Sequence, residues 1–144
     1  MQALQAPRAL APSLLALRIG IVVLMLPWAL DKLVRPDHAL AVMQNFYLIG
    51  DVGLTAVYVL GALQLAVLAA FAAGLAKTWT YGLMLAMHGV STLSTWREFL
   101  SPYEGSNLLL FAAWPTLGAC LALFLLRDYD VLLSAPSRKA ALAA

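Results

Sequence analysis

Charged residues are scarce in this sequence. Only 11% of the 144 residues are charged and 63% are hydrophobic, whereas a soluble domain usually carries about 25% charged and about 45–50% apolar residues. This composition excludes an ordinary soluble domain and predicts a single domain embedded in a membrane, with the lipid bilayer as its first partner. The basic residues form no cluster with interleaved aromatic residues, so the sequence does not indicate nucleic-acid binding.

Cysteine is nearly absent, and no familiar catalytic motif is present. The single cysteine, Cys120, excludes an internal disulfide and a CxxC pair for thiol exchange. Met84, Met87 and His88 offer soft ligands suited to Cu(I), but Met87 points away from the other two. A bis-His haem would need His38 and His88, which lie at different membrane depths. We therefore predict no metal site, with copper as a minor alternative and a bound quinone or lipid left open.

Long apolar runs, by contrast, are plentiful. Four of them are long enough to cross about 30 Å of hydrocarbon at 1.5 Å per helical residue. A shorter amphipathic run between the first two is typical of a helix lying in the membrane interface. The predicted fold class is therefore all-α, an integral membrane four-helix bundle with a short interfacial helix between helices one and two. The predicted spans are residues 13–33, 52–76, 78–96 and 107–126, and the interfacial helix is residues 38–49.

Proline, glycine and polar residues mark where the helices bend and end. Pro27 predicts a kink near the end of helix one, and Pro115 with Gly118 predicts a bend in helix four. Residues 97–106 read as an external polar loop, after which Asn107 is a candidate cap. We divide the chain into a flank (1–12), a transmembrane domain (13–127) and a mobile tail (128–144).

The distribution of basic residues predicts the orientation of the helices. Basic residues near the membrane are enriched on the cytoplasmic side. Six lie on the side that carries both termini and three lie on the other side, so both termini are predicted to be cytoplasmic. The six are Arg8, Arg18, Lys77, Arg127, Arg138 and Lys139, and the three are Lys32, Arg35 and Arg97.

His88 is the first candidate for a functional residue, because it lies near the middle of helix three. Ionisable side chains inside hydrocarbon are costly unless they face the bundle interior. We expect a shared cavity in the bundle. It could be lined by a stripe of polar residues on the helix of His88, by Gln64 on helix two and by one face of helix one. The alternative is that these side chains only hydrogen-bond between helices. The candidate ligand-binding residues are His88, Gln64, Arg18, Lys32, Trp28, Tyr81, Ser91 and Thr95.

A belt of charged residues at the outer membrane surface is the second candidate site. Lys32 and Arg35 beside Arg97 could bind an anionic headgroup or a small acid. The alternative is that the belt is simply solvated, with the nearby tryptophans as interfacial anchors. The belt consists of Asp31, Arg35, His38, Arg97 and Glu98.

The order of these features resembles the DoxX-like family of small four-helix bacterial membrane proteins. The resemblance covers most of residues 14–127. It rests on Leu17-Arg18-Ile19-Gly20, on Trp28 with Asp31-Lys32-Leu33 and Pro36, and on the small-residue helix two closing at Gly74. Gln64 stands where such proteins often carry an acidic residue. The resemblance implies a multi-pass protein of the bacterial inner membrane and a redox-associated subunit.

Three hypotheses about function follow from these observations. The first is a subunit of a redox-linked inner-membrane complex that holds a quinone-like or other small amphiphile in the bundle. The second is a small transporter or channel subunit working as an oligomer, and the third is a structural anchor for a partner protein. The resemblance favours a non-catalytic subunit of an oxidoreductase over an enzyme acting alone, with a protein partner or a homo-oligomer.

Overall fold

The described structure is built entirely from helices. It is a computed structural model that describes residues 7–47 and 52–135; the first six residues, residues 48–51 of the predicted interfacial segment and the tail beyond residue 135 lie outside the described residues. No strand occurs within those two ranges. The helices are α1 (Leu10–Val34), α2 (Pro36–Tyr47), α3 (Leu54–Ala72), α4 (Lys77–Ser94), α5 (Trp96–Leu100), α6 (Asn107–Leu110) and α7 (Ala113–Leu125), followed by a 3-10 turn over Arg127–Tyr129.

Three segments are long and apolar enough to cross a membrane, which indicates an all-α membrane protein. They are Leu10–Val34, Leu54–Ala72 and Asn107–Leu125, the last of which includes α6, α7 and the turn between them. α4 has 18 residues and is more polar than these three. Large apolar side chains stay exposed all around the bundle, as expected for surfaces that contact lipid.

The core forms where α1 and α4 pack against α3 and α7. α1 lies against α3 and α7, and α4 lies against the same two helices. Side chains from all four helices meet in one cluster of buried residues: Leu14, Ile21, Met25, Leu68, Phe71, Tyr81, Met84, Cys120 and Leu123. A smaller cluster joins α2 to α3 through Ala39, Met43 and Val57.

The two helices that contain a predicted proline bend differ in continuity. α1 continues through Pro27 to Val34, so the kink predicted there does not interrupt the helix. The predicted helix four is divided at Phe111 and Ala112, and α7 restarts at Ala113. Because Pro115 has no N–H, it cannot donate to the carbonyl of Phe111 four residues earlier. The interruption therefore lies one turn before the proline.

A tight turn joins α3 to α4. Leu75 N–H donates to the Ala70 carbonyl at 2.8 Å and Gly74 N–H to the Phe71 carbonyl at 2.9 Å, the pair of hydrogen bonds that defines a Schellman motif. Gly74 has φ of +63°, a left-handed conformation that a residue without Cβ adopts easily. The turn ends at Lys77, which is the first residue of α4.

The connection before α6 and the segment after α7 differ from expectation. Residues 97–106 are not a plain loop, because α5 covers Trp96–Leu100. Asn107 is not a cap but the first residue of α6, and its Nδ2 donates to the Ser101 carbonyl at 3.0 Å. Residues 127–135 fold back onto the bundle, where Ala135 N–H donates to the Ala73 carbonyl at 2.9 Å. We call residues 127–135 the return segment.

The bundle has two ends, which we call the terminal end and the distal end. The terminal end holds the start of α1, the α3–α4 turn and the return segment. The distal end holds the end of α1, together with α2 and α5. Residues 128–135 belong to the tail predicted from the sequence. In the structure they pack against the terminal end, where the buried carboxylate of Asp130 holds them.

Candidate functional site

Arg18, Tyr81 and Asp130 form a buried ionic cluster at the terminal end. Arg18 is 1% exposed and Asp130 is 0% exposed. The Nη1 atom of Arg18 lies 3.3 Å from Oδ2 of Asp130 and donates to the Tyr81 hydroxyl at 3.3 Å. The Tyr81 hydroxyl in turn donates to the same carboxylate oxygen at 2.5 Å. The charge of Arg18 is therefore neutralised inside the protein, as a buried charge must be.

The return segment is held by further contacts around this cluster. Arg18 Nη2 donates to the backbone carbonyls of Leu132 and Leu133. A Cβ at Gly74 would lie 2.8 Å from Arg18 Nη1 and 2.5 Å from Ser134 Cβ, so only glycine allows this close approach. Oδ1 of Asp130 has no hydrogen-bond partner within the described ranges. The guanidinium thus contacts a carboxylate, a hydroxyl and two backbone carbonyls. We infer that the cluster holds the return segment against the bundle.

Sequence reasoning missed Asp130 as a functional partner. It placed Asp130 in the mobile tail of residues 128–144 and assigned it no partner. A usable signal was present, because a charge inside an apolar helix requires a counter-charge. The charge-bias argument already placed Arg18 and residues 128–130 on the same side of the membrane. Tyr81 was predicted as a site residue, and the structure brings it together with Arg18.

His88 is buried and bonded to a neighbouring helix. It is 7% exposed, and its Nε2 lies 3.0 Å from the backbone carbonyl of Ala113, to which it donates. Thr92 Oγ1 donates to the His88 carbonyl at 2.8 Å. The imidazole therefore bridges α4 to the first residue of α7, beside the interruption between α6 and α7. Across the described residues, no group of three or more His, Cys, Asp or Glu side chains could hold a metal ion.

Other side chains of the polar stripe form hydrogen bonds within the bundle. The Tyr47 hydroxyl donates to Ser91 Oγ at 3.0 Å, which ties α2 to α4. Thr95 Oγ1 donates to the Thr92 carbonyl at 2.8 Å. Gln64 is half-buried and makes no side-chain hydrogen bond to the described residues. Arg18 is held at the terminal end by Asp130 and the return segment, and no hydrogen bond among the described residues joins it to His88 or Gln64.

The predicted outer belt divides into separate parts at the distal end. Asp31 accepts from Arg35 Nε at 2.8 Å and lies 2.7 Å from Nδ1 of His38. Lys32 does not join this group, since its Nζ donates to the Trp28 carbonyl at 3.1 Å. The Cβ of Lys32 lies over Gly61, where an added Cβ would come within 2.8 Å of it.

The two belt residues on α5 have different surroundings. The Arg97 guanidinium lies over the Trp96 ring, 5.4 Å from its centroid. Glu98 is half-buried, and its Oε2 has no hydrogen-bond partner among the residues described. No ion pair or hydrogen bond within those residues joins Arg97 or Glu98 to the Asp31 cluster.

An open groove of about 710 Å³ runs between α1 and α7. Of the predicted ligand-binding residues, only Trp28 lines it, and Trp28 is 50% exposed. Thr116 contributes the only polar side chain, and its hydroxyl donates to the Ala112 carbonyl at 2.9 Å. The lining residues are Ala16, Leu17, Gly20, Ile21, Val23, Leu24, Pro27, Trp28, Pro115, Thr116 and Ala119. The groove suits the apolar body of an amphiphile, and the Thr116 oxygen can accept one hydrogen bond from its polar head.

Comparison with known proteins yields no relative for this chain. No family model matches it, and neither a curated protein nor a solved structure matches it. The resemblance to the DoxX-like family therefore stays a prediction from the sequence.

Proposed function

We propose that this chain is a small multi-pass protein of the bacterial inner membrane with four spanning helices and cytoplasmic termini. α4 is the fourth span: its 18 residues extend about 27 Å at 1.5 Å per residue, close to the thickness of the hydrocarbon layer. Its polar side chains, Tyr81, His88 and Thr92, are buried against the bundle, which makes a polar helix tolerable in lipid. The excess of basic residues at the terminal end supports a cytoplasmic location for that end.

The function that we propose is binding of a quinone-like or other small amphiphile, as a non-catalytic subunit of a redox-linked complex. The observation that carries this proposal is the α1–α7 groove, which is apolar, open to the bilayer and large enough for such a ligand. Trp28 offers a flat face for a ring, and the Thr116 oxygen can accept a hydrogen bond from a hydroxyl of the reduced, quinol form. The residues that the sequence favoured, His88 and Arg18, have their polar groups engaged inside the protein.

Filling the groove tests the proposal. A Cβ at Gly20 would meet no atom within 4 Å, so Gly20→Leu occupies groove space without disturbing the packing. Gly118→Leu is the matched control, because Gly118 also has open space but does not line the groove. Binding of a short-chain benzoquinone to the full-length protein in mild detergent is read by quenching of tryptophan fluorescence, with Trp28→Phe to assign the signal.

We expect Gly20→Leu to weaken quinone binding at least about ten-fold, equivalent to about 1.4 kcal/mol. Gly118→Leu is expected to bind like the natural protein. Mass spectrometry of gently extracted protein complements this assay by identifying any small molecule that co-purifies. Equal binding by both leucine variants, or no quinone binding by the natural protein, would reject the groove as a quinone site.

A structural anchor is the second candidate function. The buried polar groups of α4 bond to other parts of the same chain, which is the arrangement that a rigid scaffold requires. Under this alternative, a partner protein would co-purify in a fixed ratio, and its activity would survive Gly20→Leu.

A further inference from the structure

Two cations at the terminal end have no carboxylate partner among the described residues. Arg127 Nη1 donates to the Phe124 carbonyl at 2.6 Å and its Nε donates to Thr78 Oγ1 at 3.3 Å. Lys77 Nζ donates to the backbone carbonyl of Asp130 at 2.5 Å. Within residues 7–47 and 52–135, neither cation lies within ion-pair distance of an acidic side chain. Most N–H groups of both side chains are thus left for an outside acceptor.

These two cations flank the same point of the bundle surface. Arg127 bonds to Thr78, which directly follows Lys77 in the chain. Asp128 is exposed nearby and forms no ion pair with Arg127, while the carboxylate of Asp130 is already engaged by Arg18 and Tyr81. No ion pair among the described residues therefore compensates the positive charges of Lys77 and Arg127.

With α4 as the fourth span, as proposed above, an exposed tryptophan indicates the membrane depth of these cations. Trp79 is 75% exposed and lies two residues after Lys77, at the start of α4. Tryptophan at the end of a spanning helix usually sits at the level of the lipid headgroups. Lys77 and Arg127 then lie in the headgroup layer, where the nearest abundant acceptors are lipid phosphates.

The charge balance of the two ends agrees with this placement. Among the described residues the terminal end holds four basic and two acidic side chains, whereas the distal end holds three basic and four acidic ones. An anionic headgroup is therefore attracted to the terminal end and not to the distal end.

We propose that Lys77 and Arg127, beside Trp79, form a binding site for the headgroup of an anionic phospholipid at the terminal end of the bundle. The two cations bind the phosphate and the net negative charge of the headgroup, and Trp79 contacts the adjoining acyl region. This site rests on the proposed span over α4, but it lies apart from the α1–α7 groove and does not depend on ligand binding there.

The test compares lipid binding to the full-length protein in nanodiscs or micelles. The probes are phosphatidylglycerol, phosphatidylcholine and inorganic phosphate, and binding is read by native mass spectrometry and by thermal stabilisation. The variant is Lys77→Gln/Arg127→Gln. The matched control, Arg35→Gln/Arg97→Gln, removes the same number of positive charges from the distal end. A charge-keeping variant, Lys77→Arg/Arg127→Lys, separates charge from packing.

We expect the natural protein to prefer phosphatidylglycerol over phosphatidylcholine and not to respond to inorganic phosphate. Each charge removed should weaken phosphatidylglycerol binding about five-fold, and the double variant about 30-fold. The distal control and the charge-keeping variant should retain the preference. In the natural protein the preference should also fall as salt rises, since surface charges are screened.

Four results would overturn the proposal. They are an unchanged preference in Lys77→Gln/Arg127→Gln, equal binding of both lipids by the natural protein, an equal loss in the distal control, and a preference insensitive to salt. The salt titration uses only the natural protein, so it can still refute the proposal if the double variant fails to fold.

Discussion

Removing the carboxylate of Asp130 gives the sharpest test of how this fold is held together. Asp130→Leu would leave the guanidinium of Arg18 buried at 1% exposure without a counter-charge. Breaking a buried ion pair in this way usually costs about 3–5 kcal/mol of unfolding free energy. Asp128→Leu is the matched control, because Asp128 is an exposed acid two residues away, and we expect it to change stability by less than about 0.5 kcal/mol.

The double variant Arg18→Leu/Asp130→Leu shows how much of that cost comes from the orphaned charge. With both charges gone, the carbonyls of Leu132 and Leu133 lose their donor and the Tyr81 hydroxyl loses its acceptor. Orphaned polar groups of this kind cost about 1–3 kcal/mol. The double variant should therefore cost less than the sum of its two single variants, because neither charge is then left buried without its partner.

Unfolding of the full-length protein in detergent, followed by circular dichroism during an SDS titration, measures these differences. Tyr81→Phe adds a third measurement and should cost about 1.5–3 kcal/mol, because it removes a hydrogen bond to a charged group. Our reasoning fails if Asp130→Leu costs no more than Asp128→Leu. It also fails if the double variant is as unstable as the sum of its two single variants.

Two further predictions concern helix contacts. His88→Leu removes the hydrogen bond to the Ala113 carbonyl and should lower the unfolding free energy by about 0.5–1.5 kcal/mol. Quinone binding should not change in this variant. A selective loss of quinone binding would contradict our placement of the ligand in the groove. Gly61→Ala would put a Cβ 2.8 Å from Lys32 Cβ and 2.9 Å from Leu33 Cδ2, so it should cost about 1–3 kcal/mol in the same unfolding assay. Gly118→Ala has open space and should be neutral or stabilising; equal effects of the two alanines would refute the close contact of α1 with α3.

The positions of the long helices could be predicted from the sequence to within a few residues. Their signals are local, since an apolar run long enough to cross a bilayer must satisfy its backbone groups within one helix. The interruption before α7 was only partly predictable. Pro115 identified the cause, but the missing N–H affects the carbonyl of Phe111, one turn earlier than the proline.

The candidate site was less predictable because its contacts join distant parts of the chain. Arg18 and Tyr81 were chosen for their polarity inside apolar helices, and the structure does bring them together. Their common partner Asp130 comes after the last spanning segment and carries no periodic signal. His88 and Gln64 were predicted to line one cavity, but the His88 side chain donates to the Ala113 carbonyl on α7.

The sequence by itself determined that this is an all-helical membrane protein, because its composition and its apolar runs leave few other ways to satisfy the backbone in lipid. Only the tertiary structure decided which buried polar groups face one another and where space for a ligand is left. Hydrogen bonds and ion pairs are short-ranged and directional, so their partners depend on how the helices pack and on the path of the return segment. That path makes Arg18 part of a closed ionic cluster and leaves the open groove on another face of α1.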